Sequence, residues 1–292
     1  MNVSVYLYAL ASNFCFALGS QFFTHYSRAI SSAWMNAYKA TLACILFALT
    51  TFLFLDITPI GTTGILLFAF SGFIGLGLGD IFLLKAFAEL GPGRTLILFG
   101  FQPLLLGLFG KLFLGQAIDT TKLAAIACFI GIVVLFAHES WRRDRSFGFK
   151  ALMIAMLGII LDAAGVVITR HVFDSYPAVH AIEGNLYRCL GAVLFFMLLS
   201  LVKPFNFFGH IKAMDWKARG YVSLGAVLGT FLSLGFFLKA VQTGHLATVS
   251  GVAITGTLFS SAFECIWTKK WPTKTLWAAL GLFLIGSWIL IG

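Results

Sequence analysis

The chain has 292 residues, 60% of them hydrophobic and 11% charged, with a mean hydropathy of +0.95, whereas a soluble domain carries about 25% charged residues. No water-facing surface can be assembled from that composition, so a soluble globular fold is excluded. The formal net charge of +9 does not indicate nucleic acid, because the basic residues are spread over short segments between apolar runs and form no single patch.

Crossing the hydrocarbon layer takes a helix of about 20 mostly apolar residues. Runs near that length recur at 3–23, 34–55, 64–84, 96–114, 120–137, 151–169, 181–202, 221–238, 246–267 and 275–291. The sequence therefore predicts an all-α integral membrane protein with ten transmembrane helices. The first run lacks a basic leader and a small-residue cleavage site, so it reads as a retained helix. Breakers such as Gly91-Pro92-Gly93-Arg94, Lys203-Pro204 and Lys269-Lys270-Trp271-Pro272 separate the runs. Cys15, Cys44, Cys128, Cys189 and Cys265 fall inside apolar runs without metal-ligand spacing and read as small buried residues; neither a metal nor another cofactor is expected.

Fourteen Lys and Arg lie in the odd-numbered connections and four in the even ones. The positive-inside rule then puts the odd connections in the cytoplasm and both termini outside, as in a multi-pass protein of a bacterial inner membrane. The remaining two, Lys39 and Arg188, fall inside the membrane.

A shift of about 150 residues aligns the two halves. Asn36-Ala37-Tyr38-Lys39 matches Asn185-Leu186-Tyr187-Arg188. Ser71, Gly75 and Gly79 match Gly225, Gly229 and Ser233. Leu84–Ala86 matches Leu238–Ala240, and Gly91-x-x-Arg94-Thr95 matches Gly244-x-x-Ala247-Thr248. His25 and His171 stand at corresponding helix ends. Single matches of this kind are common where helices pack closely; five in one order define a repeat. The expected halves are 1–140 and 151–292, joined by a basic cytoplasmic linker at 141–150. An odd number of spans per half inverts the second half, which places a substrate site near the midplane.

This order of features resembles the drug/metabolite transporter superfamily, specifically its EamA-type members. The resemblance covers the whole chain and rests on Lys39 and Arg188, on the Gly-x-x-[Arg/Ala]-Thr segments, and on Pro103 within the fourth run. It implies ten helices in two five-helix repeats. A glutamate common in that family is replaced here by Gln116 and by Lys269-Lys270, so no role is carried over to those positions.

Ionisable groups inside a bilayer are costly to insert and mark functional sites. They are Lys39, Asp80, Asp162, Glu183, Arg188 and Glu264. Two ion pairs are expected, Lys39–Asp80 toward the cytoplasm and Asp162–Arg188 toward the outside, either as gates that open in turn or as static ties between helices. Asn13, Asn36, Tyr38, Gln102, Asn185 and Tyr187 supply neutral hydrogen-bonding groups that line a site or bridge helices. Pro103 frees a backbone carbonyl beside Gln102 and favours a lining role for it. The small-residue ladders read as close-packing faces. His25, His171 and His245 sit at helix ends as solvated caps, which leaves Asp80 or Asp162 as the better candidate for a coupled proton.

These features point to a secondary transporter of a small organic metabolite, working by alternating access. The resemblance suggests export of amino acids or related compounds; uptake or another metabolite class, such as a nucleoside, vitamin or sugar derivative, is the alternative. The chain has no phosphate-binding Gly-rich loop, so a proton or solute gradient would drive it, or it would equilibrate its solute passively. An intramembrane enzyme would need a nucleophile–base or metal constellation and a channel would need rings of like charge or carbonyls; neither pattern is found. The expected partners are the lipid bilayer and a small-molecule substrate, with the chain acting as a monomer or homodimer.

Overall fold

A computed structural model describes residues 3–114, 120–144, 149–244, 246–252 and 254–291. Its elements, all helical among the described residues, are α1 (Val3–Ala29), α2 (Ser32–Phe54), α3 (Thr62–Leu90), α4 (Pro92–Phe113), α5 (Thr120–Asp144), α6 (Phe149–Ser175), α7 (Ala181–Val202), α8 (Trp216–Thr243), α9 (Leu246–Val252), α10 (Ile254–Thr268) and α11 (Lys274–Ile291), with a short helix at Phe207–Ala213 before α8. Helices are what a bilayer permits, because lipid offers no partner to a free backbone N–H or C=O. Their starts carry local signals: Ser31 accepts the Trp34 N–H at α2, Asp215 accepts the Ala218 N–H at α8, and Gly91 turns at φ 85° to admit Pro92 at the start of α4.

Seven of these helices, against the ten expected spans, are long and apolar enough to cross a membrane: α1 to α4 and α6 to α8. The remaining three apolar runs are helical as well, but do not meet that measure among the described residues. Helix α5 continues to Asp144 and α6 begins at Phe149, so both enter the stretch 141–150 expected as a linker. Gln116, Arg145 and His245 lie outside the described residues.

The outside of the bundle differs from that of a soluble protein, and charged side chains join the apolar core. Arg188, Lys39, Glu183, Asn36 and Asn185 are buried, while Leu201 is 80% and Leu53 68% exposed. Apolar side chains on the outside are at no disadvantage in hydrocarbon, whereas polar ones must find partners in the bundle.

The two halves are held together by matching close crossings. Helix α1 meets α8 where Gly19 lies against Gly229 without room for a side chain, and α6 meets α3 where a methyl group on Gly165 would lie 2.8 Å from the Ser71 carbonyl. Gly229 and Gly75 are repeat partners, so the small-residue ladders are close-packing faces of one design used twice. The halves also run in opposite senses. Near the end of α1, Tyr26 Oη donates to the carbonyl of Ala218 at the start of α8; near the end of α6, Arg170 Nη1 donates to the carbonyls of Val241 and Gly244 at the other end of α8. Those ends of α8, which has 28 residues, are separated by about 40 Å at 1.5 Å per residue.

Helices α3 and α8 each carry a π-helical stretch at the same place in the repeat, Phe73–Gly79 and Val227–Leu232. Such widened turns leave carbonyls without their usual partners and mark functional sites. The paired asparagines bond at the first stretch and just past the second. Asn36 Nδ2 donates to the carbonyls of Leu76 (3.2 Å) and Gly77 (3.3 Å), and Asn185 Nδ2 donates to that of Leu234 (2.8 Å).

Candidate functional site

Midway along the bundle, beside both π-helical stretches, lies a cavity of about 90 Å³. Five of the residues singled out from the sequence line it: Asn13 of α1, Lys39 of α2, Asp80 of α3, Gln102 of α4 and Asp162 of α6; α8 adds Thr230 and Ser233. Both halves therefore contribute. The Lys39 ammonium pairs with Asp80 Oδ2 and lies over the Phe23 ring, 5.1 Å from its centroid. Asp80 stands directly after the π-helical stretch, so the widened turn sets the direction in which its carboxylate leaves α3. Gln102 follows a tight 3₁₀ turn at Phe99–Phe101, and its Nε2 donates to Asp162 Oδ2 at 2.5 Å. Asn13 Nδ2 donates to the carbonyls of Ala9 (2.7 Å) and Val252 (3.4 Å).

The other five candidates stand around the cavity without lining it. Asn36 satisfies carbonyls of the first π-helical stretch, and Asn185 donates to the Leu234 carbonyl just past the second. Tyr38 shares a hydrogen bond with Ser223 Oγ (2.7 Å) and stacks on Trp34; Tyr187 donates to Glu183 (3.0 Å), which also accepts the Thr58 N–H. These are bridges between neighbouring segments. Arg188 corrects an expectation: it is 1% exposed, but makes no ion pair with Asp162, and its Nε and Nη1 have no hydrogen-bond partner. Gln102 occupies the position on Asp162 that a guanidinium was expected to fill. The two pairs expected at opposite depths thus become one group of charges around a single cavity, with Lys39–Asp80 joined and Asp162–Arg188 apart.

Several contributors were not singled out from the sequence. Phe16, Phe99 and Phe237 close the cavity with rings, and Ser12 Oγ donates to the Ser233 carbonyl at 2.9 Å across the α1–α8 crossing. Thirty-two phenylalanines made the ring positions illegible, and Ser12 is a small residue in an apolar run with no spacing signal of its own. Glu264, counted among the intramembrane acids, accepts the Gly93 N–H at 2.9 Å and so caps the start of α4 from α10. A carboxylate there satisfies a free donor and opposes the positive end of the helix dipole.

Chemically, Lys39 and Asp80 neutralise each other, and Asp162 faces the cavity on an amide instead of a cation. The arrangement offers one carboxylate for a cationic group, with serine, threonine and amide groups to orient the rest of a solute.

Inverted helical halves around a shared cavity that holds charged side chains define the class: a multi-pass membrane protein of the two-repeat kind. Residues 3–137 and 149–292 each match the EamA-like transporter family. The chain belongs to that family, within the drug/metabolite transporter superfamily, and is a membrane transporter of that type. One crystal structure of a protein shares its fold over 98% of this chain and 94% of its own, with a TM-score of 0.67 and 14% sequence identity. No curated protein matches by sequence.

Proposed function

We propose that the protein is a secondary transporter that crosses the membrane ten times and carries a small amine-bearing organic solute, an amino acid or a relative, outward by alternating access. The observation that supports this reading is the central cavity, lined by both halves and presenting Asp162 without a cationic partner. Asp162 receives the solute's ammonium group, or a proton in its absence. Asn13, Gln102 and Ser233 orient the remainder.

The joined Lys39–Asp80 pair and the parted Asp162–Arg188 pair fit one state of an alternating cycle, in which the second pair forms as the first separates. The halves 1–140 and 151–292 rock about the glycine crossings, linked through 141–150. The basic connections face the cytoplasm and both termini face outward.

Counterflow in proteoliposomes with labelled amino acids tests the proposal. Uptake into preloaded vesicles that Asp162→Asn abolishes and Asp162→Glu partly restores is the expected result. If no amino acid, nucleoside or vitamin exchanges, or raises the melting temperature of the purified protein, the solute reading fails.

A further inference from the structure

Two grooves meet at the end of the molecule where α2 starts and α3 and α7 finish, away from the central cavity. One, of about 500 Å³, is lined by Ser31 and Ser32 at the start of α2, Lys85 on α3, Lys203 after α7 and His210 on the short helix. Among the described residues, no acidic side chain lines it. The other, of about 490 Å³, is apolar and bounded by Ala37, Val193, Phe196, Met197 and Phe208. They share Pro204, Phe205 and Asn206 and so form one continuous trough.

The shared wall is built into the fold. Asn206 turns the chain at φ 43°, and the Trp34 indole N–H donates to the Phe207 carbonyl at 3.1 Å, fixing this connection against α2. Lys85 and Lys203 are exposed, so their ammonium groups are available to a ligand. From Lys203 back to Val193, α7 rises about 15 Å at 1.5 Å per residue, which is the depth of one leaflet of hydrocarbon about 30 Å thick. Met197 (62% exposed) and Phe208 (73%) open the trough sideways to lipid.

We propose that this trough binds an anionic phospholipid. Its phosphate lies between Lys85, Lys203 and His210 near the positive end of the α2 dipole, and an acyl chain lies along the apolar groove. Both parts of the ligand are required by the observations: a basic cluster alone would serve a free phosphate, and an apolar groove alone any lipid. Basic pockets between transmembrane helices recognise anionic headgroups in this way.

The test is native mass spectrometry of the full chain in detergent, titrated with phosphatidylglycerol, with phosphatidylcholine and glycerol 3-phosphate in parallel. Phosphatidylglycerol is expected to bind most tightly. Lys85→Ala with Lys203→Ala should weaken it by about tenfold or more, given a contribution near 1 kcal/mol per basic residue. Lys269→Ala with Lys270→Ala, an equal loss of charge on another connection, should leave it within about twofold by the same reasoning. Equal binding of phosphatidylcholine, equal loss in both double variants, or binding of glycerol 3-phosphate as tight as that of the lipid would each overturn the proposal. Lys85→Gln with Lys203→Gln, which keeps side-chain length, provides the same readout if the alanine pair unfolds.

Discussion

Lys39 and Asp80 show how a buried charge is tolerated in this bundle. Each is almost wholly enclosed, so removing one leaves the other without compensation, at about 3–5 kcal/mol for a buried pair. Lys39→Ala is therefore expected to lower the melting temperature in detergent markedly, and Lys39→Met with Asp80→Leu to recover most of the loss; an additive double variant would refute the pairing. His180 provides a second test, outside the membrane spans. Its Nδ1 accepts the Ile182 N–H at 3.2 Å and caps α7. Burial, reinforced by nearby Lys239, holds the imidazole below its ordinary value. A group depressed on folding stabilises the protein above its unfolded value, and that contribution fades as pH falls through the folded one. The melting temperature should thus fall as pH drops below about 6.5, and His180→Asn, which caps without a titrating ring, should flatten that slope. An unchanged slope would mean that His180 does not contribute.

Among elements, the glycine crossings set the spacing of the halves. Gly72 lies against the Arg188 carbonyl with no room for a methyl group, whereas nothing among the described residues lies within 4 Å of the space a methyl on Gly107 would fill. Gly72→Ala should separate α3 from α7 and reduce both folded yield and melting temperature. Gly107→Ala, in contrast, should be neutral or stabilising by up to about 1 kcal/mol through helix propensity. The π-helical stretches are the second device at this scale. Asn36→Ala removes the donor to the Leu76 and Gly77 carbonyls of the first stretch, and Asn185→Ala the donor to the Leu234 carbonyl beside the second, at about 1–3 kcal/mol for a buried carbonyl left unpaired. Asn36→Asp, which removes the same donor, should not rescue the alanine variant. Stability at the wild-type level in either variant would show that the widened turns are held by something else.

For the whole molecule, the ten crossings we propose would put the connection at Asp56 and that at Lys203 on opposite membrane sides, with Lys203 in the cytoplasm. A cysteine at position 56, on an otherwise cysteine-free background, should react with an impermeant thiol reagent applied to intact cells, and one at 203 only after the membrane is opened. Labelling of both from outside would break the inverted arrangement. Composition and run length alone determined that the chain lives in a membrane, because no arrangement of these side chains could face water. The Asn36/Asn185 and Gly75/Gly229 matches likewise made the two related halves legible, since a repeat is written in residue order. The runs 120–137, 246–267 and 275–291 have apolar length comparable to the other seven, but apolar length alone does not distinguish a helix that crosses from one that only packs. The Asp162–Arg188 pair was inferred from opposite charge on neighbouring helices. Which side chain reaches Asp162 depended on the rotation of α6 and α4 about their axes, fixed by the close crossing at Gly165 and the tight turn before Gln102. Periodicity gives a helix its faces, but only tertiary packing decides what each face meets.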